Sequence, residues 1–337
     1  MTYGGFILDV LVALILLGVF LIVLALSSHM AITNAIKVSD ITGLGKTTVG
    51  FILIAFSTSI PELSVAIISA FGGEEKTAVS VGNVIGSNIV NICLIIGLAT
   101  LLVVLQRRSR NVKMIPTMAK EEFGSLYFGL FIASLIPLTL VYLTFASQLI
   151  GLILVLIFGF YTYQLSKVRI PSESRQSVSE EMKRKLHLYV VLTFLGIAGV
   201  VLSAYFIVES SVAMAEFAGV SKSIIGATII AFGTSLPELS IDVNAFLKGH
   251  SALALGDIVG SCFINITLIL GITLLASPFS VKNITFFTDL VIFSLIANIF
   301  LWYFLSIERL GWKEGAILLF IYILFLATTV GVINLRL

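Results

Sequence analysis

The chain has 337 residues, 58% hydrophobic and 11% charged, with a formal net charge of +2 and a mean hydropathy of +1.13. Soluble domains carry roughly 25% charged residues, so this composition excludes an ordinary water-soluble fold and points to a polytopic membrane protein with no nucleic-acid partner. The two cysteines, Cys93 and Cys262, both fall in apolar runs without disulfide or metal spacing and read as small hydrophobes.

Apolar runs long enough to span the hydrocarbon core, roughly 20 residues, predict ten membrane helices. They lie at approximately 5–28, 46–72, 77–105, 123–145, 148–168, 186–215, 222–247, 250–277, 284–306 and 313–335. The first has no basic region ahead of it and is too long for a signal-peptide core, so it reads as a membrane helix. The second contains "AFSTSIPELS" (55–64), a proline and a glutamate at membrane depth. The third carries "GNVIGSNIVNICLIIG" (82–97). After the fifth comes the least apolar connection, "RIPSESRQSVSEEMKRK" (169–185), a linker too short to house a folded domain. The seventh contains "AFGTSLPELS" (231–240) and the eighth "GDIVGSCFINITLILG" (256–271).

The basic residues orient this array. With the N-terminus outside, only Lys76, Lys222, Lys282 and Arg336 of the 20 Lys and Arg fall outside, and an even number of spans returns the C-terminus outside too.

Both motifs occur twice, in one order, on consecutive helices, and the copies begin five spans apart. An odd offset makes them cross the membrane in opposite directions, which is the inverted-topology repeat of secondary transporters. The expected fold is an all-α integral membrane protein of ten transmembrane helices, N-out and C-out. Residues 1–168 form a first five-helix repeat with its motif at 50–97. Residues 169–185 are a cytoplasmic linker, and 186–337 form a second repeat with its motif at 226–271.

The duplicated residues have a shared chemistry. Ser59, Glu62, Asn91, Ser235, Glu238 and Asn265 lie within about a turn of the midpoints of spans 2, 3, 7 and 8. A carboxylate there costs on the order of 2.5–3.5 kcal/mol on insertion scales and is a functional-site hypothesis by default. Pro61 and Pro237 have no N–H, so the carbonyls of Ser57 and Gly233 lose their helical donors. Thr58 and Glu62, Ser59 and Glu62, and Ser87 and Asn91 share helix faces, and Thr234, Ser235, Glu238, Ser261 and Asn265 repeat the arrangement. Oxygen-only donors suit hard cations such as Ca2+ or Na+ rather than zinc or copper. The structural alternatives are buried acids bonded across helices, plain proline kinks and interhelical amide bonds. The glycines of the third and eighth spans would let these helices approach the second and seventh closely. Asp242 reads equally as a lining of the inner aqueous path or as a group in interfacial water.

"TSIPEL" with "GNVIGSNIVN", and "TSLPEL" with "GDIVGSCFIN", resemble the paired alpha repeats of the sodium/calcium exchanger family, within the wider cation/Ca2+ antiporter superfamily, in a prokaryotic-type form without a large regulatory loop. The motifs cover about a quarter of the chain, and the ten-helix layout extends the likeness to the whole. The resemblance implies alternating access at a central cluster of four cation sites, one preferring Ca2+ and the others Na+. It also implies a ligand set of Glu62, Glu238, Asn91, Asn265, Ser59, Ser235, Ser87, Ser261, Thr58, Thr234 and the carbonyls of Ala55 and Ala231. Typical Na+/Ca2+ members have an aspartate at one of the positions matching Asn91 and Asn265. Here both are asparagine, and an acid stands instead at Asp257, where the pattern, like Asn83, has asparagine. Asp257 and Asp242 are additional candidates.

The expected function is a secondary antiporter in the cell membrane exchanging Ca2+ for a monovalent cation, Na+ foremost. It would have no cofactor and no catalytic residues, with the lipid bilayer as surroundings. A Ca2+/H+ exchanger is the alternative, followed by a passive cation channel; an intramembrane enzyme would need a nucleophile–base pair or metal triad that the motifs lack.

Overall fold

In lipid a backbone must satisfy its own hydrogen bonds, and a chain this apolar does so by folding into helices. The computed structural model describes residues 3–70, 74–107, 120–143, 145–167, 180–217, 235–276, 279–280 and 285–329. In chain order the helices are α1 (Tyr3–Thr42), α2 (Lys46–Thr58), α3 (Ile60–Ala70), α4 (Glu74–Ile89), α5 (Ile96–Arg107), α6 (Lys120–Leu143) and α7 (Gln148–Leu165). After the short α8 (Glu180–Arg184) come α9 (Leu186–Phe217), α10 (Leu236–Leu247), α11 (Ser251–Ile264), α12 (Leu270–Ala276), α13 (Thr285–Ser306) and α14 (Trp312–Thr329). A two-residue antiparallel pair, β1 (Phe145–Ala146) with β2 (Phe279–Ser280), ties the connections after α6 and α12 and is the one departure from an all-helical chain among the described residues.

Eight stretches are long and apolar enough to cross a membrane among the described residues. The two remaining expected spans have identifiable reasons for not being counted. The second is divided at Ser59 into α2 and α3. Of the seventh, α10 is described and 222–234 lie outside the described residues.

The first helix also differs from expectation. It runs to Thr42, and its membrane-length stretch is Gly18–Thr42 rather than 5–28. Polar residues after position 28 do not end it because they are bonded at once: Asn34 Nδ2 donates to Met30 O at 2.8 Å and Thr42 Oγ1 to Val38 O at 2.7 Å. Lys37 Nζ stands 4.7 Å from the centroid of the Tyr189 ring, a cation–π contact. α1 and α9 pack along each other. A Cβ at Gly196 would lie 2.6 Å from Ala31 N, so the two backbones touch.

The core is built around α11, every residue of which is buried. It crosses α2 backbone to backbone through glycines. A Cβ on Gly256 would land on the Thr47 carbonyl, and one on Gly260 would lie 2.8 Å from Phe51 Cα. The glycines of the eighth expected span therefore seat it on the second, in the other copy. Around this seam Phe51, Phe128, Tyr161 and Phe263 pack ring to ring, Phe128 against Tyr161 at 4.3 Å and Tyr161 against Phe263 at 5.0 Å. Tyr161 Oη donates to Ser125 O at 3.1 Å, giving the buried phenol the partner it needs. Large apolar side chains such as Leu105, Leu149 and Phe160 point outward, as a lipid-facing surface requires.

Candidate functional site

The two Ser-hydrophobic-Pro-Glu segments adopt the same local backbone. Ser59 has φ −78° and ψ 8°, and Ser235 has φ −93° and ψ 6°. Both occupy the sparsely allowed bridge region, and a new helix starts after each: α3 with Glu62 in its first turn, α10 with Glu238 in its first turn. Proline suits that place, since its missing N–H is one the first turn could not use. A helix N-terminus carries unpaired N–H groups and a positive dipole end. Each carboxylate thus receives part of the compensation that water would otherwise supply.

A second local device is also duplicated. A π-helical turn spans Val90–Ile95 between α4 and α5, and another spans Asn265–Ile269 between α11 and α12. Such turns widen a helix and recur at functional sites. Here they begin at, or one residue before, the matched asparagines Asn91 and Asn265.

These elements meet. Ser59 Oγ donates to Ser261 Oγ at 3.4 Å, α2 to α11. The Ser87 hydroxyl lies against the Glu62 carboxylate, and that of Thr58 against Glu238. Thr58 Oγ1 gives its proton to Ala55 O at 3.3 Å, so Glu238 gains no donor from it. Ala55 O also accepts from Ser59 N at 3.1 Å, which occupies both its lone pairs; a ligand role for it requires the Thr58 hydroxyl to turn away. Glu62, Glu238, Asn91, Asn265, Ser59, Ser235, Ser87, Ser261, Thr58 and Ala55 are all buried, none more than 4% exposed. Thr234 and Ala231 lie outside the described residues.

The oxygens of this cluster are poorly satisfied. Both carboxylate oxygens of Glu238, Oε2 of Glu62, Oδ1 of Asn91 and of Asn265, and Oγ of Ser235 find no hydrogen-bond partner among the described residues. Buried polar atoms are nearly always paired, so these oxygens, unlike most buried ones, keep lone pairs free to accept from or coordinate a ligand. Among the described residues no three His, Cys, Asp or Glu side chains converge as a metal-binding group. The donors that complete a shell would be hydroxyls, amides and carbonyls.

Two acids extend the centre. Asp257 lies beside Glu238 and against Asp242, Ser261 and Thr58. Asp242 is fully buried, which removes the reading that places it in interfacial water; it stands on α10 one turn after Glu238.

Sequence reasoning missed Asn88. Its Oδ1 accepts from Asn265 Nδ2 at 3.0 Å, and its Nδ2 donates to Cys262 O at 3.3 Å. The signal was available, because "GSN" and "GSC" stand at matched positions and a buried amide needs partners. Cys262, read from the sequence as a small hydrophobe, also takes part: its Sγ donates back to Asn88 O at 4.0 Å.

Comparison with known proteins gives a consistent picture. The model of the sodium/calcium exchanger protein family matches residues 12–167 and 188–331. The sodium/calcium exchanger MaX1 of Methanosarcina acetivorans is 30% identical, over 93% of this chain and 96% of its own length. The inner membrane protein YrbG of Escherichia coli is 28% identical over 86% of each chain. A solved structure of the sodium–calcium exchanger NCX_Mj, soaked with 10 mM Na+ and no Ca2+, superposes with a TM-score of 0.79. It covers 95% of this chain and 99% of that one at 23% identity, a likeness of fold.

Proposed function

The chain belongs to the sodium/calcium exchanger family, and from that premise we propose that it is a secondary antiporter of the cell membrane, exchanging Ca2+ for Na+ by alternating access. The observation that carries the reading is the duplicated helix break. It sets Glu62 and Glu238 on the first turns of α3 and α10, buried, with oxygens that have no partner among the described residues. Ca2+ takes 6–8 oxygens and Na+ uses the same hard donors. Glu62 and Glu238 bind the ions, with Asn91, Asn265, Ser59, Ser235, Ser87, Ser261, Thr58, Thr234 and the carbonyls of Ala55 and Ala231 completing the shells. Competition of Na+ and Ca2+ for one set of oxygens couples the two fluxes.

The two copies are inverted repeats, residues 1–168 and 186–337, in a ten-helix N-out, C-out array. Support comes from Asn88 and Cys262. They hold the same position in the two copies and touch each other, as counterparts do on a two-fold axis.

The test is 45Ca2+ flux into proteoliposomes with Na+, K+, Li+ and H+ gradients imposed one at a time. An outward Na+ gradient drives uptake, and Glu62→Gln or Glu238→Gln abolishes it. Full transport by both variants refutes the site. The specific observation favouring H+ as counter-ion is that Asn91 and Asn265 are both amides; uptake driven by a pH gradient and not by Na+ would establish that reading.

A further inference from the structure

The two copies share their backbone but not their charge. In the alignment that pairs Glu62 with Glu238 and Gly82 with Gly256, the counterpart of Asp242 is Ala66 and that of Asp257 is Asn83. The second copy therefore carries two carboxylates that the first lacks, and the fold brings them together. Asp242 projects from α10 one turn beyond Glu238, Asp257 from α11 one turn before Ser261, and the two side chains face each other. Both residues are fully buried.

If this pair served only to join α10 and α11, its oxygens would be bonded to amides, hydroxyls or backbone N–H groups. At hydrogen-bond geometry all four lack a partner among the described residues; the two carboxyls lie against each other, and the hydroxyls of Ser261 and Thr58 lie beside Asp257. Both oxygens of Glu238, one turn back on the helix that carries Asp242, lack a partner there as well. Two ionised carboxylates in contact, removed from water, repel each other unless something positive lies between them. The basic residues at the α10–α11 connection, Lys46 and Lys248 with the imidazole of His250, do not supply it: Lys248 Nζ reaches the Thr33 hydroxyl at 3.5 Å, and none of the three makes an ion pair among the described residues.

We propose that Asp242 and Asp257 form a second cation position, for a divalent ion of the Ca2+ type, beside the Glu62–Glu238 centre. The proposal rests on the antiporter reading above and adds a site that the duplicated ligand set does not contain. Charge favours a divalent ion, because the pair carries two negative charges and one divalent ion neutralises both. Donor chemistry agrees. The pair offers up to four oxygens of its own, and the hydroxyls of Ser261 and Thr58, which border the Glu62–Glu238 centre as well, lie against Asp257; with these two shared donors the position reaches the lower end of the Ca2+ requirement of 6–8 oxygens. An ion held there occupies the path into the centre from the side of the α10–α11 connection. The first copy, with Ala66 and Asn83, offers no matching stop on the opposite side.

The experiment is equilibrium 45Ca2+ binding to the purified full-length protein in detergent. The chain itself suggests the variant: Asp242→Ala with Asp257→Asn writes into the second copy the residues the first already accommodates. The expected stoichiometry is two Ca2+ per wild-type chain, one in that variant, and one in Glu62→Gln/Glu238→Gln. Wild type binding a single Ca2+ that Asp242→Ala/Asp257→Asn leaves unchanged overturns the second position and leaves the antiporter reading standing. A single Ca2+ that survives Glu62→Gln/Glu238→Gln and is lost in the aspartate variant supports the second position and removes the first. Unchanged Ca2+ binding together with the loss of one bound proton in the aspartate variant means that the pair shares a proton, and the proposal falls. Should the aspartate variant fail to elute as a single folded species, wild-type stoichiometry decides: two Ca2+ per chain supports the proposal and one overturns it.

Discussion

Gly260→Ala is a substitution of one methyl group, and the geometry sets its consequence. The new Cβ would lie 2.8 Å from Phe51 Cα and 2.9 Å from Ala55 Cβ. Carbon atoms rest at about 3.5–4.0 Å, so α11 and α2 must part by roughly 1 Å at this point. The atoms in the way are Phe51 Cα and the Ala55 methyl carbon, both fixed to the α2 backbone, so no side-chain rotation relieves the contact. Overpacking of this kind costs about 1–3 kcal/mol, against which alanine's better helix propensity returns only about 1 kcal/mol. The net effect is a loss of stability of about 0–2 kcal/mol, centred on about 1 kcal/mol. The same movement acts on the site, because Ser261 follows Gly260 in the chain and its hydroxyl meets Ser59 at 3.4 Å; an added ångström takes that contact outside hydrogen-bond range. Gly260→Ala is therefore expected to lower both the melting temperature in detergent and the 45Ca2+ flux in proteoliposomes. Gly256→Ala, whose Cβ would strike the Thr47 backbone, should be at least as damaging. Gly159→Ala is the control, since Gly159 is exposed on α7 and nothing described lies within 4 Å of its added Cβ. If all three variants melt and transport alike, the close seam between α2 and α11 does not position the site.

Removing the Phe263 ring should cost about 3 kcal/mol, because it touches Phe51, Phe128, Phe158 and Tyr161; thermal unfolding of Phe263→Ala reads this, with Phe263→Leu milder. A double-mutant cycle of Asn88→Ala and Asn265→Ala should give a coupling of about 0.6 kcal/mol, the usual size for interhelical polar pairs in lipid; full additivity would mean that their 3.0 Å bond contributes nothing. In the α10–α11 connection, burial together with Lys46 and Lys248 pulls the His250 imidazole below its ordinary range. A folded-state value below the unfolded one means that the unfolded chain takes up the proton first, so stability falls as pH drops through about 6.5. His250→Gln should flatten that acid-side slope in melting temperature, and an unchanged slope would assign it to other groups.

The membrane spans were legible because apolar length is a strong signal, and the errors came where length was the wrong measure. Polar residues after position 28 signal an end to the first span, yet Asn34 and Thr42 close hydrogen bonds one turn back and the helix continues. In the second span the motif betrayed a break, and Ser59 is where it occurs, but no sequence rule distinguishes a kinked helix from two half-helices. The candidate ligands were readable from duplication. Asn88 was not, because its copy is Cys262 and a search for repeated residues passes over a position where the two copies differ. The contact between the two is tertiary and appears only once α4 and α11 are laid against each other.

That failure has a physical lesson for the site. A serine in the bridge region followed by a proline and a glutamate fixes a local backbone whatever surrounds it, so the break is reproduced in both copies to within about 15° in φ and ψ. Charge is not fixed in this way. Nothing in the backbone of α3 or α4 forbids an acid at Ala66 or Asn83, and nothing in that of α10 or α11 demands one at Asp242 or Asp257. The repeated geometry therefore determines where oxygens can gather, while the unrepeated residues determine how much negative charge gathers there and on which side. A pair of variants separates the two contributions. Ser59→Ala keeps the charge and removes a hydroxyl at the break; Asp257→Asn keeps the break and removes a charge. If backbone and charge act separately, as the two copies indicate, Ser59→Ala lowers flux for every ion tested, whereas Asp257→Asn lowers Ca2+ flux more than Na+ flux. Equal losses for both ions in Asp257→Asn would show that charge and geometry are not separable at this centre.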